Sequence, residues 1–281
     1  MNDEIKLGEM NTLKILRETD NGLYLQALNE EEILLPNSYV TKEMDFDDTI
    51  DVFVYTDSED RLVATTTKPL GFKNQFVFAK VVDVARFGAF VDINLPKDLL
   101  VPKNKQKNPF ERGDRRIIRI VEDEETNRLI GIEKITSFLS TDTSHFKRND
   151  EVSIMIIAHT PLGYKVIINH QYEGIVYKNE VFEKLHTGDI KKAYIKDVRK
   201  DKKIDVSLQP IGDNETTKVA SNIIVGLLEN NNNFLPYTSK SDANIIQKIF
   251  GLSKKNFKKT LQILIANDTI ELSEEGIKLK S

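Results

Sequence analysis

Two phenylalanines three residues apart, Phe87 and Phe90, stand in a segment that also carries Arg86, Lys103, Lys105, Arg115, Arg116 and Arg128. Every nucleobase offers a flat π-face, so an exposed ring can hold a base of any identity at about 1–3 kcal/mol per base, while cations follow the phosphates. Other chemistry is thinly supplied. The 281 residues include no Cys and only 4 His, which removes thiol catalysis, thiolate metal sites and disulfides together. His145, His159, His170 and His186 lack the short spacing of a metal-ligand pair, and no nucleophile-elbow, Walker or dinucleotide-binding string occurs. The acidic runs Asp45-Asp47-Asp48 and Glu122-Asp123-Glu124-Glu125 could hold Mg²⁺ in a nuclease. Both fall where turns are expected, and turn chemistry accounts for them better. The expectation is a binder with no catalytic residues, metal or cofactor.

Strand parity decides which rings face outward. In AFVDI, Ala89, Val91 and Ile93 share one face and Phe90 shares the other with Asp92, so Phe90 is predicted to point to solvent. The same parity turns Tyr24 and Lys165 outward. The competing reading makes Phe87 and Phe90 core residues or a contact between neighbouring domains.

The elements that must position these residues recur three times. Gly22, Gly88 and Gly163 lie 14 residues before Pro36, Pro102 and Tyr177, which in turn lie 12 residues before Asp48, Asp114 and Asp189. A β-type run precedes each Gly, and an alternating strand, a second apolar piece, a turn, a third strand, a polar hairpin and a last strand follow it. Five short strands in about 65 residues read as a small antiparallel barrel.

After Pro210 the period becomes helical. Ala220, Ile223, Ile224, Leu227 and Leu228 follow helical spacing; Ile245, Ile246, Ile249 and Phe250 are the expected inward face of a second helix, capped by Ser239 or Ser241 and ended by Gly251. A third helix, capped by Ser253, turns Phe257, Leu261 and Leu264 inward. TIEL-SEEG-IKL completes a winged helix-turn-helix as a hairpin. The fold expected is mainly β: oligonucleotide-binding (OB) barrels over 1–69, 70–138 and 149–212, then a winged helix over 216–281.

The net charge of −4 conceals segregation. Residues 1–67 carry 5 basic and 16 acidic side chains, and residues 68–119 carry 12 and 5. Binding follows the local field of a face, so a basic second barrel in an acidic chain remains compatible with a polyanion. No apolar run is long enough to cross a bilayer and the N-terminus reads as no signal peptide, so a cytoplasmic protein without membrane contact is expected.

In the second repeat, VVDVARFGAFVDI…LLVP resembles the S1-type RNA-binding domain, an OB barrel with the usual string V-x-x-I-x-x-F-G-A-F-V-x-L…G-L-V-H-x-S. The resemblance makes Phe87 and Phe90 the base-stacking rings and puts Pro102 where the family has His. In the third repeat GIVYKNEV matches G-L-V-H-x-S-E, with Tyr177 at the His position beside Lys178, while Leu162 and Lys165 replace both aromatics. The first repeat keeps only Tyr24. Three such barrels followed by KSDANIIQKIFGLSKKNFKKTLQILIANDTIEL, with FVFAK in the second barrel, resemble the bacterial conserved virulence factor B family. That likeness implies single-stranded RNA, with mRNA foremost, as the partner, and post-transcriptional regulation as the role. Lys254, Lys255, Lys258, Lys259 and Gln262 form the expected nucleic-acid or partner face of the winged helix. With one Gln and no Arg, that helix contacts phosphate better than it reads bases. Sequence-specific DNA binding and a protein scaffold are the alternatives.

Overall fold

The computed structural model describes residues 1–181, 183–210 and 213–280, and the barrel boundary expected at residue 212 lies outside them. Two compact units divide the chain, Met1–Leu139 and Ser140–Ser281. In the first unit, β1 (Met10–Thr19), β2 (Gly22–Gln26), β3 (Glu32–Pro36), β4 (Thr49–Thr56) and β5 (Leu62–Thr65) close in the order β1-β2-β3-β5-β4. A second closed barrel, β10-β8-β7-β6-β9, is built from β6 (Phe76–Ala85), β7 (Gly88–Asp92), β8 (Leu99–Pro102), β9 (Arg115–Glu122) and β10 (Leu129–Ile132). The second unit opens with a third, β11-β12-β13-β15-β14, from β11 (Glu151–Thr160), β12 (Gly163–Ile168), β13 (Tyr172–Tyr177), β14 (Ile190–Val198) and β15 (Ile204–Ser207).

The repeated spacing has a structural cause in each barrel. Gly22, Gly88 and Gly163 face Pro36, Pro102 and Tyr177 across antiparallel ladders, so the interval of 14 is a strand register. The third marker closes a turn. The carboxylates of Asp48, Asp114 and Asp189 accept the backbone N–H of Asp45, Glu111 and His186 at 3.3, 3.0 and 2.8 Å. Their carbonyls accept the N–H of Ile15, Val81 and Ile156, each beside a bulge in the long first strand. Such bulges bend that strand enough for it to pair at both edges and close the sheet.

The two barrels of the first unit share apolar surface. Phe53, Tyr55 and Val63 are buried together with Phe72, Leu95 and Leu129 packed on them, and the Phe53 and Phe72 rings lie 6.1 Å apart. Lys73 adds an ion pair to Glu122 at 3.1 Å and a longer one to Glu9 at 3.7 Å.

In the second unit, α1 (Asp213–Glu229), β16 (Phe234–Leu235), α2 (Ala243–Phe250), α3 (Lys254–Ala266), β17 (Ile270–Leu272) and β18 (Ile277–Leu279) form the winged helix, with sheet order β16-β18-β17. Its core gathers Ala220, Ile224, Leu228, Ile246, Phe250, Phe257, Leu261 and Leu264. Two expectations for α2 are corrected. Ile245 and Ile249 are 46% and 38% exposed, because so short a helix buries only the narrow stripe of Ile246 and Phe250, and their neighbours one residue earlier rotate off it. The cap is Asp242, whose carboxylate accepts the Asn244 N–H at 2.8 Å; the Ser241 hydroxyl instead accepts the Thr238 N–H at 2.9 Å. Asp242→Ala is expected to cost about 1 kcal/mol of local stability, read as faster hydrogen exchange confined to α2. Gly251 ends α2 in the left-handed conformation at φ +64°, and Ser253 caps α3.

Candidate nucleic-acid interface

The pleat of β7 sends Ala89 and Val91 into the second barrel and leaves Phe90 half-buried on its outer surface, opposite Leu100 of β8. Phe87 precedes the strand. Its carbonyl accepts the Lys103 N–H at 2.9 Å, which fixes the turn, and its side chain is 62% exposed. The two rings meet edge to face, centroids 5.9 Å apart and planes at 90°. That contact is itself favourable and leaves most of the Phe87 ring open to solvent.

Both rings line a cleft of about 530 Å³ between the first two barrels. Its second-barrel wall includes Leu95, Leu100 and Pro102, while the first barrel contributes Tyr55 and Thr56. Three cations (Lys97, Lys105, Arg128) and three carboxylates (Asp98, Asp123, Glu125) reach the same space. Burial pushes the Asp98 carboxyl above its usual range, with the neighbouring charges of Asp92 and Asp83 adding to the rise. Attraction for a polyanion in such a balanced cleft must come from apolar contact and placement of charge more than from net potential.

Of the residues predicted from sequence, the cleft brings together Phe87, Phe90, Lys105 and Arg128. Arg86 and Lys103 are exposed beside it without lining it. Arg115 is exposed on β9, opposite Lys80 of β6, with its guanidinium 5.8 Å from the centre of the Phe78 ring. Arg116 is held by Asp114 at 2.6 Å and Glu133 at 3.6 Å and lies 4.9 Å from the centre of the Phe110 ring, which makes it a brace of the barrel wall. Lys97, Tyr55 and Thr56 were not anticipated. A signal existed for the last two: β4 runs VFVYT without alternation and is buried from Val52 to Thr56, the mark of a strand covered on both faces.

At the positions matching Phe87 and Phe90 the other barrels have no ring pair: Asn21 and Tyr24 stand there in the first, Leu162 and Lys165 in the third, whose His159 and Tyr164 rings meet instead across the β11–β12 ladder. In the first, Tyr24 lies beneath the Arg17 guanidinium at 3.8 Å. In the third, Leu162 is 69% exposed and Lys165 pairs with Glu173 at 2.7 Å. The Tyr177 hydroxyl donates to Asp205 at 3.2 Å, and burial followed by the Asp205 charge raises its pKa. Lys178 is exposed and donates its backbone N–H to the Leu162 carbonyl at 3.1 Å, repeating the Lys103 to Phe87 bond. On α3, Lys255, Lys258 and Gln262 are exposed along one face; Lys254 is half-buried with Nζ 3.4 Å from the Lys240 carbonyl, and Lys259 is also half-buried.

The acidic runs serve the fold. Asp47 pairs with Lys14 at 2.7 Å, Asp48 closes its turn, and Asp123 accepts the Thr126 hydroxyl at 2.7 Å. Among the described residues no three His, Asp or Glu side chains converge as a metal site requires, and no helix is long and apolar enough to cross a membrane.

Three closed five-stranded barrels followed by a winged helix define a tandem OB-barrel protein. Residues 7–67 match the S1 domain family and residues 222–279 the CvfB-like winged helix domain family. The S1 match thus falls on the first barrel, whereas the S1-like string around Phe87 and Phe90 lies in the second. The chain is 29% identical to the uncharacterized protein YitL of Bacillus subtilis, covering 95% of this chain and 92% of that one. It is 24% identical to conserved virulence factor B of Staphylococcus epidermidis, covering 99% and 96%. A crystal structure described as a multidomain protein with nucleic acid binding domains, from Streptococcus pneumoniae TIGR4, aligns over 98% of both chains at 23% identity and a TM-score of 0.41. The chain is thus similar to conserved virulence factor B proteins over nearly its full length, and its C-terminal winged helix matches the CvfB-like domain family.

Proposed function

We propose that this protein binds single-stranded RNA without catalysing a reaction, and that it acts in post-transcriptional regulation in the cytoplasm. The observation that carries the reading is the ring pair of Phe87 and Phe90, presented on the outer surface of a barrel beside Lys105 and Arg128. Phe90 lies on β7 and Phe87 just before it, with β8 paired alongside; β7 and β8 are the second and third strands of their barrel, the face on which OB folds receive oligonucleotides. An S1 domain match in the same unit supports the assignment. Stacking on Phe87 requires an unpaired base, so the proposed ligand is single-stranded. A cytoplasmic mRNA segment meets that requirement.

Competition separates this reading from its rivals. With labelled oligo(U) bound to the full chain, unlabelled poly(U) and poly(A) are expected to displace it, while duplex RNA and duplex DNA compete poorly. Affinity should fall linearly on a log–log salt plot, with a slope of about −0.7 per phosphate contacted. Stronger competition by duplex DNA would move the activity to α3 of the winged helix. Failure of every polymer to bind would leave a protein scaffold.

A further inference from the structure

The first barrel is acidic, yet it reaches into the cleft that the second barrel lines with rings and cations. Its contribution at the rim is specific. Asp60, at the tip of the β4–β5 hairpin, gives one carboxylate oxygen to Arg128 of the β9–β10 hairpin. The other oxygen lies 3.5 Å from Nζ of Lys97, which also donates to the Asp57 carbonyl. One carboxylate is therefore shared by two cations of the second barrel, and both cations line the cleft of Phe87 and Phe90. Arg128, Thr56 and Thr126 line that cleft and also an adjoining groove of about 730 Å³ that Asp60 itself borders. The ion pair stands where the two meet.

A phosphodiester would use the same donors. Its two free oxygens have the spacing and charge of a carboxylate, and a guanidinium receives either one through paired N–H groups. The existing pair is weakly held, because Arg128 and Asp60 retain 49% and 39% of their side-chain exposure, and ion pairs at such exposure contribute little. Exchange of the Asp60 carboxylate for a phosphate therefore costs little. A base stacked on the neighbouring rings would tip the exchange toward the ligand.

We propose that Lys97 and Arg128 form the phosphate subsite of a nucleotide site shared by the first two barrels, and that Asp60 occupies this subsite as an internal phosphate surrogate until a single-stranded polynucleotide displaces it. The proposal rests on the RNA-binding reading above and adds to it a role for the acidic barrel: a local competitor that lowers affinity for short or weakly stacked ligands. Deleting residues 1–67 would be a poor test, since it would uncover the apolar surface around Phe72, Leu95 and Leu129. A single substitution suffices. Asp60 has φ +63°, a conformation that Asn adopts as readily as Asp, so Asp60→Asn keeps the turn and removes the charge.

The test measures binding of fluorescein-labelled oligo(U) to the full-length protein across a salt series. Asp60→Asn is expected to tighten binding by ~3–10-fold and to steepen the salt slope by about 0.7, the contribution of one additional phosphate contact. Glu59→Gln removes the same charge one residue away, from a carboxylate that pairs with Arg61 at 2.9 Å, and controls for the long-range field. The gain from Asp60→Asn must exceed that of Glu59→Gln and must vanish when Arg128→Ala is combined with it. If Asp60→Asn gains no more than Glu59→Gln, or the gain survives loss of Arg128, while Phe87→Ala still weakens binding, the surrogate is refuted and the RNA reading stands. If Phe87→Ala also leaves binding unchanged, the stacking reading falls, and the subsite falls with it.

Discussion

Alanine at Phe87 is expected to weaken binding of single-stranded oligo(U) by about 1–3 kcal/mol, or 5- to 150-fold, while leaving the fold intact. The ring is 62% exposed, so its removal opens no core cavity, and surface changes of this kind usually alter stability by less than about 0.5 kcal/mol. Phe90→Ala should produce a loss of the same order, accompanied by some destabilisation, since Phe90 is half-buried against the barrel and faces Leu100. The rings touch at 5.9 Å, so the double variant should lose less than the sum of the two single losses. Arg116→Ala supplies the contrast. That guanidinium is committed to Asp114, Glu133 and Phe110, so its loss should lower stability and leave oligonucleotide affinity nearly unchanged. Fluorescence anisotropy with the labelled oligonucleotide, alongside circular dichroism of each variant, checks all four statements. Unchanged affinity in a folded Phe87→Ala protein would show that no base stacks there.

Much of this architecture was legible because one hydrogen-bonding pattern is written three times. The Gly, Pro or Tyr, and Asp markers recur at fixed spacing because each occupies a place where backbone geometry leaves little choice: a cross-strand register, the entry to a 3₁₀ turn, and a side chain that closes the next turn. Alternation along β7 likewise placed Phe90 outward, since a strand with one buried face must show the other. The site was only partly legible. Arg116 and Lys105 are both cations of one basic segment, and nothing in their spacing distinguishes a brace from a cleft residue; that depends on the Glu133 carboxylate and the Phe110 ring turning toward Arg116 in the folded barrel. Lys97, Tyr55 and Thr56 were missed because the cleft forms at the junction of two barrels, and strand periodicity describes one barrel at a time. On α2 the limitation was length: four apolar residues matched a helical face, but eight residues of helix bury only two of them.

The same repeat makes a second large effect predictable. Gly22→Ala is expected to destabilise the first barrel by about 3 kcal/mol or more. A Cβ at that position would stand 2.0 Å from the Leu35 carbonyl oxygen and 3.0 Å from the Asn37 nitrogen, and the backbone there has φ +141°. Both obstructing atoms belong to the backbone, so no side-chain rotation relieves the clash; β2 and β3 would have to separate at the Gly22–Pro36 pair that fixes their register. Gly226→Ala is the opposite case. Gly226 lies inside α1, and a Cβ built there meets nothing within 4 Å, so alanine should stabilise that helix by about 0.5–1 kcal/mol through its higher helix propensity and the reduced freedom of the unfolded chain. A chain of several domains need not unfold in one step, so a single melting temperature would blur the two effects. Hydrogen exchange resolved by segment keeps them apart: amides of β1 to β3 in Gly22→Ala should exchange roughly a hundredfold faster, and those of α1 in Gly226→Ala more slowly. Equal behaviour of the two variants would mean that the close approach of β2 to β3 does not constrain the first barrel, and the steric reason given for the recurring glycine would be wrong.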